Sequence, residues 1–496
     1  MSNLALTYCC LGRYNEAEIL GKEVVQVRKA VHGDQHPHTL ISMSNLASTY
    51  SSLGRYNEAE ALGKEVIQVC RTVLVNQHLH TLTSMSNLAL TYSSLGRYSE
   101  AERLGKEVVQ VCKTVLGDQH PGTLTSMSNL ALTYSSLGRY NEAEVLGKEV
   151  VQACKTILGD QHPNTLTSMS NLSLTYSNLG RYNKAEVLGK EVLQIRKTVL
   201  GDQHPDTLTS MSNLVLTFYH LRRYNEAEVM GKEVLQIRKT VLGPQHPRTL
   251  TSMSILASNY SQLGKYNEAE VMGKEVLQIR KTVLGPQHPH TLTSMSILAS
   301  NYSQLGKYSE AELLEKEVMQ TRKTVLGDQH PNTLISMSNL ALTYHHLRRY
   351  NEAEVLGKEV VQIRKTVLGA QHPDTLTSMS NLASIYSSLE RHDEAEVLGK
   401  EVVQVRKTVL GAQHPQTLTS MSILASSYSL RGKCNEAEAL EKELVQISKT
   451  VLGDQHPGTL AFMSKLALNY IKMGRFKEAE ALQHEIAPIK SLNPTV

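Results

Sequence analysis

Between residues 123 and 137 the apolar side chains Leu124, Met127, Leu130, Ala131, Tyr134 and Leu137 recur at intervals of three and four, while Thr125, Ser128, Asn129, Ser135 and Ser136 fall on the other side. That spacing matches the 3.6-residue turn and predicts an amphipathic helix, here helix A. Gly138, Arg139 and Tyr140 interrupt it, and Ala143, Leu146, Gly147, Val150, Cys154, Ile157 and Leu158 then form the stripe of a second helix, helix B. Asn141 and Glu144 stand three apart and match a capping box, which places the start of helix B at Asn141. Gly159 suits the end of helix B, and Pro163 suits the first turn of the next helix A. Gly147 costs about 1 kcal/mol in mid-helix relative to alanine. It follows Ala143, a slot that is alanine in every copy, so the two predict a shallow strip where another helix approaches closely.

The pattern returns every 42 residues. A partial copy spans 1–38, ten full copies span 39–458, and a divergent copy spans 459–496. One such unit cannot bury its own apolar stripe, so neighbours stack into a single elongated array instead of separate globular domains. The segment EAEVMGKEVLQIRKTVLGPQHP occurs twice, at 226–247 and 268–289, so constancy between copies partly records duplication. The slots that have changed are therefore the more informative ones.

Composition narrows the partners. Lysine and arginine total 51 against 47 acidic residues, a formal charge of +4 on 496 residues, which provides no long basic stripe for nucleic acid or a membrane surface. No apolar run reaches the roughly 18 residues of a membrane helix, and no targeting segment opens the chain, so a cytoplasmic protein is expected. Cys70, Cys112 and Cys154 share a slot that holds Arg196, Arg238 and Arg280 in later copies, which argues against a disulfide framework. The first copy lacks counterparts of Thr39 to Ser42 and begins inside a helix, so a fragment of a longer chain or a shortened gene model is expected.

Three features resemble chemistry and are read as architecture. Eleven histidines, from His36 to His456, stand 42 residues apart beside Pro or Leu79, and Asp118 lies near one of them. Stacked helices hold such rings about 10 Å apart, too far for metal bonds near 2 Å. The Asp118 slot also reads Asn76, Pro244, Pro286, Ala370 and Ala412, so no acid–base pair persists and the loop is punctuation. Met1 to Met463 fill one apolar helix A slot in twelve copies, a core position. GRYNEAEVLGKE has neither the spacing nor the hydroxyl of a phosphate-binding loop. No catalytic, cofactor or metal site is expected.

Leu130, Ala131, Tyr134, Gly138, Tyr140, Ala143 and Val150 stand at the spacings of a tetratricopeptide repeat, and the 42-residue unit resembles the variant of the kinesin light chain family. The resemblance implies an all-α fold, a right-handed α-solenoid superhelix of stacked antiparallel helix pairs, whose concave groove is lined by helix A and binds peptide or protein. The groove candidates are Asn45, Asn87, Asn129, Asn171, Asn213, Asn339 and Asn381, a slot that becomes Ile255, Ile297, Ile423 and Lys465 elsewhere. At the end of helix A, where most copies have paired serines, stand Tyr219, His220, Gln262, Gln304, His345 and His346. The expected function is a non-catalytic interaction scaffold. The alternative is the sensor arm of a larger signalling NTPase of the NB-ARC or NACHT type, whose N-terminal domain is missing from this chain. Arg222, Arg348 and Glu390 replace the turn glycine, and His392 and Cys434 the turn tyrosine, so a different bend is expected there. Phe462, Lys465 and Pro488 set the last copy apart.

Overall fold

The computed structural model describes residues 1–73 and 78–492, with side chains through residue 486. Asn76 and the ring of Pro488 lie outside the described residues. Among the described residues there are twenty-four helices and no strand. They form two units, Met1–Thr333 and Leu334–Val496. Helix A of the repeat analysed above runs Pro121–Ser136 and helix B runs Tyr140–Leu158, and each packs on its neighbours in chain order.

The turn from A to B is made by backbone bonds. The amide of Gly138, at φ 72°, donates to the Ser135 carbonyl at 3.0 Å, and the amide of Arg139 donates to the Tyr134 carbonyl at 2.9 Å. This double closure ends helix A and leaves Arg139 as the residue before helix B. Helix B therefore starts at Tyr140, with no side-chain cap, and the capping box expected at Asn141 does not form. Glu144 turns instead to two cations, Lys148 of its own helix and Arg181 of the next repeat, each at 2.6 Å. The different bend expected at Arg222, Arg348 and Glu390 is not found in the turn itself. Their φ values are 58°, 59° and 61°, and the amides of Arg223, Arg349 and Arg391 close the same 2.9 Å bonds. His392 and Cys434 open their helices as tyrosine does elsewhere.

The turn from B to A is also local. His162 caps the next helix A, its Nδ1 accepting from the amide of Asn164 at 3.1 Å, and Pro163 fills the first helical position. Thr165 is fully buried and donates to the Gly159 carbonyl at 2.8 Å. The punctuation expected of the histidine is thus a helix N-cap made by an imidazole.

Between these turns lies the core. Met43 through Met463, the helix A leucines from Leu46 onward and the alanine slot are buried. A Cβ on Gly147 would meet Leu172 of the next repeat at 3.3 Å, the close approach that the small-residue strip predicts. In both units, helix A lies nearer its counterpart than helix B does. Short hydroxyls touch across the A side, as in Ser44 with Ser84 and Ser380 with Ser420, both at 3.3 Å. Long side chains bridge the B side, as in Arg71 with Glu107 and Lys407 with Glu443. Helix A therefore lines the concave face of each unit.

Candidate functional site

The asparagine slot opens onto that concave face. Asn45, Asn87, Asn129, Asn171, Asn213, Asn339 and Asn381 are all half-buried. Their backbone carbonyls are used within the helix, as when Thr133 Oγ1 donates to Asn129 at 3.1 Å. The side-chain amides of Asn45, Asn87, Asn129, Asn171 and Asn213 have no hydrogen-bond partner among the described residues. Asn129 and Asn171 line one cavity of 120 Å³ between successive A helices, and Asn87 lines another of 140 Å³. Both are too small for a ligand but large enough for one side chain or a few waters.

A larger cavity, of 380 Å³, opens on the concave face between residues 216 and 297. Ile255 and Ile297 line it where the earlier copies carry asparagine, together with Leu216, Tyr219 and His220. Thr251, Ser254, Ser258 and Thr293 supply hydroxyls, and Arg280 and His290 complete the lining. Tyr219 and His220 are held by a small aromatic cluster. The His220 ring stacks on Tyr182 with centroids 5.2 Å apart, and Tyr219 meets Tyr224 edge-on at 5.6 Å. The site thus has an apolar wall on a braced frame.

Arg280 brings buried charge. It is only 3% exposed, and its guanidinium donates to the His290 carbonyl at 3.0 Å, to Ser294 Oγ at 2.6 Å and to Thr251 Oγ1 at 3.3 Å. Its Nε has no partner, and no carboxylate among the described residues pairs with it. Burial pushes its pKa down to about 10, so it remains charged at neutral pH. A cationic ligand group would meet uncompensated repulsion here.

The other candidates lie apart from this cavity. Gln262 and Gln304 are exposed, and Gln262 accepts a long bond of 3.4 Å from the Tyr224 hydroxyl. His345 and His346 belong to the unit Leu334–Val496, where His345 Nε2 lies 2.8 Å from Ser388 Oγ and the two rings stand edge-on at 5.8 Å. Sequence reasoning named Tyr219 and His220 among the groove candidates, with His345 and His346, but left out Ile255, Ile297, Arg280 and His290. The available signal was the change from asparagine to isoleucine in two adjacent copies.

Two family models, both described as tetratricopeptide repeat, match this chain. One covers residues 1–72, 53–114, 80–156, 206–282, 262–324, 316–366, 339–408 and 374–450, and the other covers 165–206 and 459–489. Among solved structures, the chain is similar to nearly identical TPR-like repeats of a Podosopora anserina protein described as a kinesin light chain, in two crystal structures, one of a point variant. Both are 30% identical and cover 40% of this chain, with 94% and 93% of their own lengths matched and TM-scores of 0.36 and 0.35. BtubC (BKLC) from P. vanneervenii is 19% identical, with 47% of this chain and 92% of its own covered and a TM-score of 0.36. No curated protein matches.

Proposed function

Because this chain belongs to the tetratricopeptide repeat family, whose arrays serve as protein-interaction scaffolds, we propose that it binds an extended peptide or protein segment along the concave, helix A face of its first unit. The observation that carries this reading is the 380 Å³ apolar cavity in a face whose smaller cavities are lined mostly by Ser, Thr and Asn. The cavity takes one branched aliphatic or aromatic side chain against Ile255, Ile297, Leu216 and Tyr219. The unpartnered amides of Asn129, Asn171 and Asn213 bond the ligand backbone on one side of it. Arg280 excludes lysine and arginine from the anchor position. The role is non-catalytic.

The test starts from peptides selected on the intact chain by display. Ile255→Asn with Ile297→Asn restores the residue of most other copies and should weaken those peptides by about 10- to 100-fold, the effect of withdrawing one buried apolar side chain. Tyr219→Ser with His220→Ser should do the same, and replacing the apolar anchor of the peptide by lysine should abolish binding. Unchanged calorimetric affinity in both double variants would place the ligand elsewhere.

A further inference from the structure

In the unit Met1–Thr333, the corner that leads from helix B into helix A does a second job. His246, His288 and His330 each use Nδ1 to cap their own helix, accepting from the amides of Arg248, His290 and Asn332 at 3.1 Å. The proton therefore sits on Nε2. That nitrogen lies 3.2, 3.2 and 3.0 Å from the carbonyl oxygens of Cys10, Ser52 and Ser94, each 236 residues away. Those carbonyls end a helix A. In the second of them the turn closes the carbonyls of Tyr50 and Ser51, and the Ser52 carbonyl is left for the imidazole.

The neighbouring prolines complete the contact. A Cβ on Gly12, Gly54 or Gly96 would lie 2.4, 2.4 or 2.2 Å from the Cδ of Pro247, Pro289 or Pro331. Positive φ alone does not demand glycine in this slot, since Arg222 adopts 58° there. At Gly12, Gly54 and Gly96 the seated proline ring does demand it. The same pair of contacts, made three times along one edge at a spacing between five and six 42-residue repeats, marks one superhelical turn meeting the next.

We propose that these His–Pro corners are latches that hold successive superhelical turns of the unit together and close the side entrance to its concave face. A segment then reaches helix A along the superhelix axis, or only after the latches part. The gate matters only if the concave face is the binding face, as proposed above; the latch is measured without any ligand, so the two fail separately.

Three double variants of the full chain test it. Gly54→Ala with Gly96→Ala places a methyl group into each seated proline. Gly264→Ala with Gly306→Ala imposes the same backbone strain, at φ 73° and 75°, where nothing lies within 4 Å. The first pair should raise the radius of gyration in X-ray scattering and speed amide exchange at the Ser52 and Ser94 turns about tenfold, with circular dichroism unchanged. The second pair should leave both unaltered. Pro289→Ala with Pro331→Ala, which keeps the histidine caps, should reproduce the opening even if the first pair folds poorly. Equal effects from both glycine pairs, or no expansion in the proline pair, would overturn the latch.

Discussion

Arg139 shows how much one side chain does in this repeat. Its amide closes helix A, its guanidinium lies 4.6 Å from the Tyr134 ring centroid, and it reaches Glu142 in the first turn of helix B and Glu102 of the repeat before. Glu144 is the reciprocal partner one repeat along. Burial works against the charge on Glu144, yet Lys148 and Arg181 outweigh it and hold its pKa below the ordinary value. Glu144→Ala should therefore lower stability by about 1 kcal/mol, since its cationic partners remain partly hydrated. Asn141→Ala should cost less than about 0.5 kcal/mol, as for a surface position without a cap. Urea denaturation of the two variants decides, and a capping box would produce the opposite order. The sequence shows Asn141 and Glu144 at the right separation, but the cap depends on where the preceding turn stops. That is set by two backbone bonds and not by the side chains.

Among elements, helix A depends most on the state of its cap. An imidazole accepts an amide proton only when Nδ1 is bare, so the cap needs neutral histidine. Burial lowers the pKa of His246, His288 and His330, whereas the unfolded chain titrates near 6.5. Below about pH 6.5 the unfolded state binds more protons than the folded state, so stability falls as pH falls. The loss levels off only once pH has passed the lowered folded-state values. The melting temperature followed by circular dichroism should be flat above about pH 7 and should decline towards pH 5. A flat profile across that range would mean that the imidazole caps carry no weight. Helix B depends on a different buried feature. Arg196 bonds the Asp206 carbonyl and Ser210 Oγ, while Cys154, in the same slot one repeat earlier, lies 3.7 Å from Ser168 Oγ. The exchange of cysteine for arginine was visible in the sequence, but the shared serine 14 residues on became visible only in the packed helices.

At the scale of the molecule, neighbouring repeats are tied by the same ion pairs over and over. Arg55 with Glu18, Arg97 with Glu60, Arg139 with Glu102 and Arg223 with Glu186 all span one repeat at 2.6–2.7 Å in the first unit, and Arg391 with Glu354 and Arg475 with Glu438 do so in the second. The cations are about two-fifths exposed or less, so each pair is worth little singly and is open to screening. Raising sodium chloride to about 1 M, where the Debye length shrinks to about 3 Å, should lower the melting temperature by a few degrees in total. A rise in melting temperature with salt would assign the repeat-to-repeat cohesion to apolar packing alone.

The 42-residue period, the two helices, their buried stripes and the glycine and proline punctuation were all determined by the sequence. Each rests on contacts within a repeat or between adjacent repeats, and so leaves a local periodic trace. What the tertiary structure decided has no such trace. The cavity gathers Tyr219, Ile255, Arg280 and Ile297 from three successive repeats, and its walls depend on how closely A helices approach. The contact of His288 with Ser52 spans 236 residues and depends on the small rotation added at every repeat interface. No single repeat encodes that sum, because the curvature of a stack accumulates over the interfaces that separate its ends.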